Sequence, residues 1–260
     1  MYLGIDIGSS SSKAAILDPQ GRLLAAEVVQ RGTGTRGPEE VLARVLARAG
    51  LNRADLRRTV VTGYGRMTFQ GADEQRTEIA CHAKGVWHLS PAVRTIVDVG
   101  GQDTKAIRLA PDGRVEDFVM NDKCAAGTGR FLEVMARVLD CPIGDLSDLA
   151  RRGTDPVRIS DLCTVFAESE VISHLAAGTT RADVAAGAIA SIAGRIAGMA
   201  ARVQAVPPVV MTGGGARSAA LAEALGRALD QPVTVLGDPQ IAGALGAAVI
   251  AWEGDRERAD

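Results

Sequence analysis

The 260-residue sequence lacks an excess of charge of either sign, because 29 Lys and Arg residues stand against 31 Asp and Glu residues and the net charge is −2. No block of basic residues occurs, so the electrostatic footprint of a nucleic-acid-binding protein is missing. A strand-like run begins at Tyr2 with no basic segment before it, which predicts that no secretory signal is present. With 47% apolar residues, the composition predicts a soluble, cytoplasmic, globular protein that binds no nucleic acid.

Long hydrophobic runs are also scarce. The most apolar stretch, 183–206, is rich in Ala and Gly and has a Gly-x-x-x-Gly spacing at Gly194 and Gly198. Arg195 and Arg202 interrupt this stretch, and small residues let the helices of soluble proteins pack closely too. We therefore expect a buried helix here and no membrane span.

Cysteine is rare, with four residues and no Cys-x-x-Cys pair. In a cytoplasmic chain, such usage favours metal or redox chemistry over structural disulfides. Cys81 falls on a predicted helix and is expected to be a packed core thiol, whereas Cys141 follows a helix end and has no expected role. Three histidines, His82, His88 and His174, lack the spacing of metal ligands and are predicted to be structural or exposed.

Apolar periodicity and turn residues predict strands and helices in a repeated order. The predicted strands are 2–7, 14–17, 22–29, 59–62, 94–99, 104–109, 115–120, 208–211 and 233–236. The predicted helices are 39–49, 78–89, 130–139, 163–176, 183–203, 218–229 and 241–252. Strands followed by helices occur twice, which predicts an α/β fold of two similar lobes with a cleft between them.

The clearest signal is an internal repeat. The segment Gly4-Ile-Asp6-Ile-Gly8-Ser-Ser-Ser-Ser-Lys13 aligns with Ile96-Val-Asp98-Val-Gly100-Gly-Gln-Asp-Thr-Lys105. Each copy is an apolar strand that ends in Asp-apolar-Gly, followed by a small polar turn and a Lys seven residues after the Asp. We predict a first lobe of residues 1–91 completed by the helix 241–252, a second lobe of residues 92–240, and a frayed, charged tail at 253–260.

Two such hairpins have the chemistry of a polyphosphate site. Glycine lets backbone N–H groups approach phosphate oxygens, and serine hydroxyls add donors. Lys13 supplies a point charge for a phosphate, and Asp6 and Asp98 supply the hard oxygen atoms that hold the water shell of Mg²⁺. Neither loop fits the Walker-A or the Rossmann pattern. The predicted phosphate-binding residues are Gly8, Ser9, Ser10, Ser11, Ser12, Lys13, Gly100, Gly101 and Gln102.

Two further glycine motifs follow: Thr212-Gly-Gly-Gly215 after a predicted strand, and Gly243-Ala-Leu-Gly246 at the start of the last helix. With the repeated hairpins, they resemble the signature of the ATPase fold shared by actin, the seventy-kilodalton chaperones and sugar kinases. The resemblance implies a nucleotide cleft between the lobes and a last helix that returns to the first lobe. It also implies that adenosine is bound by Gly213, Gly214, Gly215, Arg217, Gln240 and Gly243.

Two cysteines lie at the start of predicted helices. Cys124 lies in Asp122-Lys-Cys-Ala-Ala-Gly-Thr-Gly129, just before one helix, and Cys163 opens another. A helix N-terminus carries partial positive charge, which favours a thiolate and any anionic cluster that it ligates. Two cysteines cannot complete a site of four thiolates, but two chains related by a twofold axis supply four. On spacing alone, two buried core cysteines remain the alternative.

The runs Met120–Leu132 and Cys163–Ile172 resemble the activators of 2-hydroxyacyl-CoA dehydratases. This family, also called component A, consists of iron–sulfur ATPases related to the ATPase subunits of benzoyl-CoA reductase. The segments Gly100–Asp103, Thr62–Arg66 and Met211–Gly214 match it as well, and the resemblance extends from residue 3 to about residue 252. The chain departs from the family pattern at one glycine of the adenosine motif, position 215, where a larger apolar residue is expected.

The resemblance implies a homodimer with one [4Fe–4S] cluster, to which each chain contributes Cys124 and Cys163. It implies ATP hydrolysis to ADP with Mg²⁺, and transfer of one low-potential electron to a 2-hydroxyacyl-CoA dehydratase or a similar reductase. Ferredoxin or flavodoxin is the expected electron donor. Lobe closure on ATP is expected to rotate the helices that carry the cysteines and so to change the surroundings of the cluster.

For hydrolysis, we expect the catalytic residues to be Asp6, Lys13, Asp98, Gln102 and Asp103. Either Gln102 or Asp103 orients the attacking water, while Mg²⁺ and Lys13 offset the developing charge. The sequence leaves the choice between Gln102 and Asp103 open.

Other functions remain open from the sequence. A small-molecule kinase of the same fold needs a general-base carboxylate and a substrate pocket, and the segment between the hairpins has no obvious insertion for sugar recognition. A nucleotide-binding subunit of a benzoyl-CoA-type reductase performs the same electron transfer inside a permanent complex. The Gly-Gly-Gln-Asp hairpin and the short chain favour the activator. A non-catalytic ATP-binding regulator leaves both cysteine motifs unexplained.

Overall fold

The computed structural model describes residues 1–160 and 163–256. Its strands are β1 (Tyr2–Ile7), β2 (Ser12–Leu17), β3 (Leu23–Val29), β4 (Arg58–Thr62), β5 (Glu74–Gln75), β6 (Thr95–Val99), β7 (Thr104–Leu109), β8 (Val115–Asn121), β9 (Val209–Thr212) and β10 (Val233–Val235). Its helices are α1 (Gly37–Ala49), α2 (Glu78–Leu89), α3 (Gly129–Val138), α4 (Leu146–Arg151), α5 (Thr164–Ala176), α6 (Arg181–Arg202), α7 (Ala219–Leu229) and α8 (Ala242–Arg256).

The chain divides into two compact units. Unit 1 comprises Met1–Val93, Leu109–Val115 and Gly237–Asp260, and unit 2 comprises Arg94–Arg108 and Glu116–Leu236. Each unit holds one mixed sheet of five strands, in the order β3-β2-β1-β4-β5 in unit 1 and β10-β9-β6-β7-β8 in unit 2. The central strand of each sheet, β1 or β6, pairs antiparallel with the next strand in sequence and parallel with a later one. The two sheets therefore repeat one topology.

In unit 1, α8 packs against β1 and α2 without intervening side chains. A Cβ atom at Gly4 would collide with the carbonyl oxygen of Ala244, and one at Gly246 would collide with that of Cys81. Glycine and alanine on the three elements thus bring their backbones into direct contact. Because β1 is buried along its whole length, this contact fixes the start of α8 relative to the end of β1.

In unit 2, α6 is the central core helix. By length and composition it is apolar enough to cross a membrane, with a mean hydropathy of 1.5, but 56% of that stretch is buried inside the protein. Ile189, Ile192 and Ile196 lie in one hydrophobic core with Val97 of β6 and Phe131 of α3. Packing within unit 2 therefore accounts for the apolar composition of this helix, as the sequence predicted.

Most predicted elements are confirmed to within two residues at each end, but the predicted tail is wrong where the structure describes it. Helix α8 continues to Arg256 because its last turns find partners in unit 1. The hydroxyl of Tyr2 donates to Asp255 at 2.7 Å, and Lys84 lies 2.9 Å from Glu253. Residues 257–260 lie outside the described residues. The short elements β5 and α4 were not predicted, because neither is long enough to show a periodicity.

Candidate functional site

The strand ends that carry Asp6 and Asp98 have the same surroundings. Asp6 at the end of β1 pairs with Lys13 across the antiparallel ladder and with Thr62 across the parallel one. Asp98 at the end of β6 pairs with Lys105 and Thr212 in the same way. The repeat seen in the sequence is therefore a repeat in three dimensions, and each parallel partner adds a threonine to it.

Each threonine is followed by a glycine that approaches the aspartate. Gly63 and Gly213 have φ angles of +94° and +82°, a region that side chains disfavour. A Cβ atom would lie 2.6 Å from Asp6 Oδ1 at Gly63, and 2.8 Å from Asp98 Oδ1 at Gly213. The stretch Thr62-Gly-Tyr-Gly is thus the counterpart of Thr212-Gly-Gly-Gly, an equivalence that sequence reasoning missed.

The residue at position 215, which departs from the expected family pattern, also has a local steric reason. A Cβ atom at Gly215 would lie 2.5 Å from Val99 Cγ1, and one at Gly65 would lie 2.5 Å from Ile7 Cγ2. A larger residue at either position requires the neighbouring strand to shift.

In unit 1, the loop between β1 and β2 is closed by its own backbone. The N–H of Gly8 donates to the carbonyl of Ser11 at 3.0 Å, and the buried hydroxyl of Ser12 donates to the carbonyl of Arg31 at 2.8 Å. Ser9 and Ser10 are more exposed than Ser12. Of the four predicted serine donors, Ser12 therefore uses its proton within unit 1 itself.

Lys13 extends over this loop and keeps contact with solvent. Its ammonium lies 3.2 Å from Asp6 Oδ2, and its side chain is 14% exposed. A Cβ atom at Gly8 would lie 3.1 Å from Lys13 Nζ, so the absence of a side chain there leaves room for the ammonium. Lys13 is thus placed over the predicted phosphate loop with one carboxylate partner in close contact.

Lys105, the counterpart in unit 2, is enclosed. Its side chain is 3% exposed, and its ammonium lies 2.7 Å from Asp103 Oδ2 and 3.4 Å from Asp98 Oδ2. The hydroxyl of Thr212 donates to the other oxygen of Asp98 at 2.9 Å. Lys105 is not among the predicted site residues, although it follows Asp98 at the same spacing as Lys13 follows Asp6. The reason is that a sequence does not reveal burial.

Asp103 and Gln102 differ in what their side chains do. The backbone carbonyl of Asp103 accepts from the N–H of Gly100 at 2.9 Å, and its carboxylate packs against Gly100 and binds Lys105. Gln102 is exposed at the tip of the hairpin. The carboxylate of Asp103 is thus used to hold the turn, whereas the amide of Gln102 extends from it.

Helix α8 begins beside Asp6. A Cβ atom at Gly243 would lie 2.9 Å from Asp6 Oδ2 and 3.0 Å from His82 Cε1. Gly243, predicted beside the adenosine, therefore lies against a carboxylate of unit 1. His82 is 7% exposed, and its Nδ1 lies 3.1 Å from the carbonyl of Glu78. The sequence predicted a structural or exposed histidine, and its position next to Asp6 was missed.

The other predicted adenosine residues lie in separate units. Gln240 belongs to unit 1, where its N–H donates to Asp238 Oδ1 at 3.0 Å. Arg217, together with Gly213 and Gly214, belongs to unit 2 and is exposed. An open groove of about 820 Å³ adjoins Arg217 between α7 and β10, with charged and apolar side chains in its lining. Its lining includes Ala216, Arg217, Ala222, Glu223, Arg227 and Val233.

The four cysteines are free and fall into two classes. Cys81 is fully buried, and burial raises the pKa of its thiol to about 12, as expected for an inert core residue. Burial also raises the pKa of Cys141. Cys124, Cys141 and Cys163 are only partly buried. The two cysteines predicted as metal ligands are therefore not packed away as core thiols.

Cys163 lies at a helix start, and Cys124 lies in a loop that a neighbouring side chain holds. Cys163 is the N-cap residue of α5, and Cys124 lies in the loop before α3. The side-chain amide of Asn121, which sequence reasoning missed, holds this loop by donating to the carbonyls of Cys124 and Ala126 at 2.9 and 3.0 Å. Asp161 and Leu162, which precede Cys163 in the sequence, lie outside the described residues.

Among the described residues, no group of three or more His, Cys, Asp or Glu side chains has the arrangement of a metal site within one chain. The two cysteines predicted as ligands, Cys124 and Cys163, are half of a four-thiolate set. The first residues of α5 after Cys163 include apolar side chains open to solvent, since Val165 is 66% exposed and Phe166 is 64% exposed. The donor set thus fits an iron–sulfur cluster only if a second chain supplies the other half.

Comparison with known proteins places the chain in a family. The model of the BadF/BadG/BcrA/BcrD ATPase family matches residues 3–251. The chain belongs to this ATPase family. An activator of lactoyl-CoA dehydratase from Anaerotignum propionicum is 51% identical over 259 residues, which cover 99% of this chain and all of that protein. The solved structure of the activator of the 2-hydroxyisocaproyl-CoA dehydratase from Clostridium difficile, with bound ADPNP, is 45% identical. It covers 100% of this chain and 97% of its own, with a TM-score of 0.96.

More distant matches place the family in a wider fold. One of the subunits of benzoyl-CoA reductase from Thauera aromatica is 31% identical over 95% of this chain and 91% of its own length. A ROK family glucokinase from Streptomyces griseus has a TM-score of 0.58 at 13% identity, over 97% of this chain and 99% of its own, which shows a shared fold alone. The predicted fold of actin-like ATPases and sugar kinases is therefore confirmed.

Proposed function

We propose that this member of the BadF/BadG/BcrA/BcrD ATPase family is the activator of a 2-hydroxyacyl-CoA dehydratase. It hydrolyses ATP and transfers one low-potential electron to the dehydratase. The observation that carries the proposal is the combination, on one chain, of two Asp–Lys strand ends with two accessible cysteines at helix starts. The activators from A. propionicum and C. difficile, at 51% and 45% identity over nearly the whole chain, support it.

For the nucleotide, we propose that backbone N–H groups of Ser9–Ser11 and of Gly101 and Gln102 bind phosphate oxygens, since the N–H groups of Gly8 and Gly100 close their own turns. Asp6 and Asp98 bind the water shell of Mg²⁺, a role that suits carboxylates at the ends of buried strands. Lys13 offers its ammonium to a phosphate, because it lies over the loop and is partly exposed. Gly213–Arg217 and the groove beside Arg217 receive the nucleoside. The C. difficile activator, solved with ADPNP, supports this assignment.

For hydrolysis, we propose that Gln102 and not Asp103 orients the attacking water. The carboxylate of Asp103 is already bound to Lys105 and packed on Gly100, so turning towards a water would break its ion pair with a buried ammonium. Gln102 is exposed at the tip of the same hairpin and can donate and accept at once. Lys13 offsets part of the charge that develops on the transferred phosphoryl group, and a bound Mg²⁺ would supply further positive charge there.

For electron transfer, we propose that Cys124 and Cys163 of two chains hold one [4Fe–4S] cluster in a homodimer. When bound, such a cluster supplies a carrier for one electron at low potential. The exposed apolar side chains of α5 support a second chain here: Val165 and Ile172 are seven residues apart and 66% and 53% exposed. Small residues, Ser169 and Ser173, lie on the same exposed side of the helix.

The remaining assignments follow from this role. We propose a cytoplasmic protein with ferredoxin or flavodoxin as electron donor. The partner is a 2-hydroxyacyl-CoA dehydratase or a similar reductase, with which the activator forms a dissociable complex.

The test is activation of a partner enzyme under anaerobic conditions. The purified protein, a 2-hydroxyacyl-CoA dehydratase and a one-electron reductant are mixed with ATP or with ADP, and dehydration of a 2-hydroxyacyl-CoA is followed. Activation that needs ATP and is lost in Lys13→Met supports the proposal, with His88→Asn as a matched surface variant that retains it. Transfer of phosphate from ATP to a sugar, with no activation, would contradict it. Co-elution in a permanent complex on a sizing column would indicate the benzoyl-CoA-reductase type of protein instead.

A further inference from the structure

A buried histidine in unit 1 has no part in the function proposed above. His82 lies in the second turn of α2 and is 7% exposed. One point in space, the position that a Cβ atom of Gly243 would occupy, is 3.0 Å from His82 Cε1 and 2.9 Å from Asp6 Oδ2. The imidazole and the carboxylate therefore border the same small space at the start of α8, which only a glycine leaves open.

The backbone holds His82 in this place. A Cβ atom at Gly85, one turn after His82, would collide with the carbonyl oxygen of Ala242, and one at Gly246 would collide with that of Cys81. Helices α2 and α8 are thus in direct backbone contact on both sides of the histidine. Because α8 also touches β1 at Gly4, the end of β1 that carries Asp6 cannot move independently of His82.

One ring nitrogen of His82 has an assigned role. Nδ1 lies 3.1 Å from the backbone carbonyl of Glu78, and a carbonyl oxygen only accepts hydrogen bonds. Nδ1 therefore carries the proton and donates to the helix backbone. This bond fixes the rotation of the ring, so that the same Cε1 edge always borders Asp6.

Comparison with the strand end of unit 2 shows that Asp6 lacks the threonine hydrogen bond that Asp98 has. In unit 2, the hydroxyl of Thr212 donates to Asp98 Oδ1 at 2.9 Å. Its counterpart in unit 1, Thr62, donates instead to the carbonyl of Arg76 at 3.0 Å. A hydroxyl has one proton, so Thr62 does not hold Asp6 as Thr212 holds Asp98. Asp6 contacts the ammonium of Lys13 on one side, and Gly243 and the ring of His82 lie on another side.

We propose that His82 is a positioning residue for Asp6, taking in unit 1 the place that the threonine hydroxyl has in unit 2. By limiting the rotation of the carboxylate, it fixes the direction in which Asp6 presents its oxygens to the water shell of Mg²⁺. This inference rests on the proposed function, in which Asp6 receives that shell. Groups that orient a ligand of a metal change its affinity about 10- to 100-fold when they are removed.

The experiment compares His82→Asn with wild type in the full-length protein. The side-chain amide of Asn reproduces the Nδ1 donor towards Glu78 but lacks the ring edge that borders Asp6, so the helix keeps its bond. ADP binding is measured by calorimetry with Mg²⁺ and with EDTA, and the Mg²⁺ concentration for half-maximal ATP hydrolysis is measured separately. We expect ADP affinity in Mg²⁺ to fall about tenfold, ADP affinity in EDTA to stay unchanged, and the Mg²⁺ requirement to rise.

Two further variants serve as controls for the effect of the substitution and for loss of folding. His88→Asn changes a more exposed histidine on the same helix and should leave all three values unchanged. If His82→Asn does not fold, His82→Ser gives the same comparison, because a serine hydroxyl in a helix donates to the carbonyl four residues earlier, here Glu78, and lacks the ring edge. A folded His82 variant whose Mg²⁺-dependent ADP affinity equals that of wild type would overturn the inference. Wild-type protein that neither binds nor hydrolyses nucleotide would instead overturn the proposed function, so the two failures are distinguishable.

Discussion

The two lysines of the repeated motif are predicted to respond in opposite ways to the same substitution. Lys105 is 3% exposed and lies between Asp98 and Asp103, whereas Lys13 is 14% exposed and lies 3.2 Å from Asp6. Changing each lysine to methionine keeps most of the side-chain volume and removes the charge. Loss of the Lys105 charge affects a buried network of ion pairs, whereas loss of the Lys13 charge affects a group that is in contact with solvent.

The size of the two effects follows from burial. Removing one partner of a buried ion pair costs about 3–5 kcal/mol, because the remaining charge stays in a low dielectric without compensation. In a protein of this size, that range corresponds to a fall in Tm of about 6–20 °C. Lys105→Met should show a loss of this order, since Asp98 is 3% exposed. Lys13→Met should cost less than Lys105→Met, because Lys13 contacts one carboxylate where Lys105 contacts two, and water reaches its ammonium more easily.

The assay is urea unfolding followed by circular dichroism, with ADP binding measured by calorimetry on the same samples. Lys105→Met should shift the unfolding midpoint strongly, and Lys13→Met should shift it less while weakening nucleotide binding. In a double-mutant cycle, Asp98→Asn should recover part of the stability lost in Lys105→Met, because it removes the uncompensated charge. Equal stability losses in the two lysine variants would refute the assignment of Lys105 as internal support and Lys13 as a phosphate contact.

Three further predictions concern packing, assembly and pH. Gly246→Ala should lower the free energy of unfolding by about 1–3 kcal/mol, because its Cβ atom collides with the backbone of α2. Gly194→Ala, in a helix with open space around it, should raise that free energy by about 1 kcal/mol. Denaturation with urea measures both changes, and two changes of the same sign would show that the α2–α8 contact is looser than described. Phe166→Glu should convert the proposed homodimer to monomers in analytical ultracentrifugation, since it places a charge on the exposed apolar side of α5, and an unchanged dimer would move the interface elsewhere. Hydrogen bonds from the Thr180 hydroxyl and from two backbone N–H groups lower the pKa of Asp183. Because the folded-state pKa is the lower one, the stabilisation is present above the unfolded-state pKa and is lost as pH falls through the folded-state pKa. Thermal melts should therefore show Asp183→Asn less stable than wild type at pH 7, with the difference disappearing in acid, and a difference that persists there would contradict this origin.

The strand ends of the site could be predicted from the sequence because their signals are local. An apolar run, an Asp-apolar-Gly ending and a lysine seven residues later fall within ten residues of one another, and both copies occupy the predicted hairpins. The helix starts that follow Cys124 and Cys163 were predictable for the same reason, since Cys163 is the N-cap of α5 and Cys124 lies in the short loop before α3.

The rest of the site depends on contacts between distant segments. His82 borders Asp6 only because α8, some 160 residues later in the chain, packs on α2. The equivalence of Thr62 and Thr212 follows from parallel strand pairing, which leaves no periodic trace in the sequence. Lys105 shares its spacing with Lys13, and only the fold shows that one is enclosed and the other is not. The end of α8 was placed in a tail because its partners Tyr2 and Lys84 are remote in sequence.

The most direct test of the central claim is the iron and acid-labile sulfide content of the protein purified without oxygen, with an electron paramagnetic resonance spectrum after reduction. A cluster that bridges two chains predicts about four irons and four sulfides per two chains. It predicts their loss in Cys124→Ser and in Cys163→Ser, and their retention in Cys81→Ser, whose thiol is buried with its pKa raised to about 12. An iron-free wild-type protein that still hydrolyses ATP, or a cluster that survives both substitutions, would contradict it.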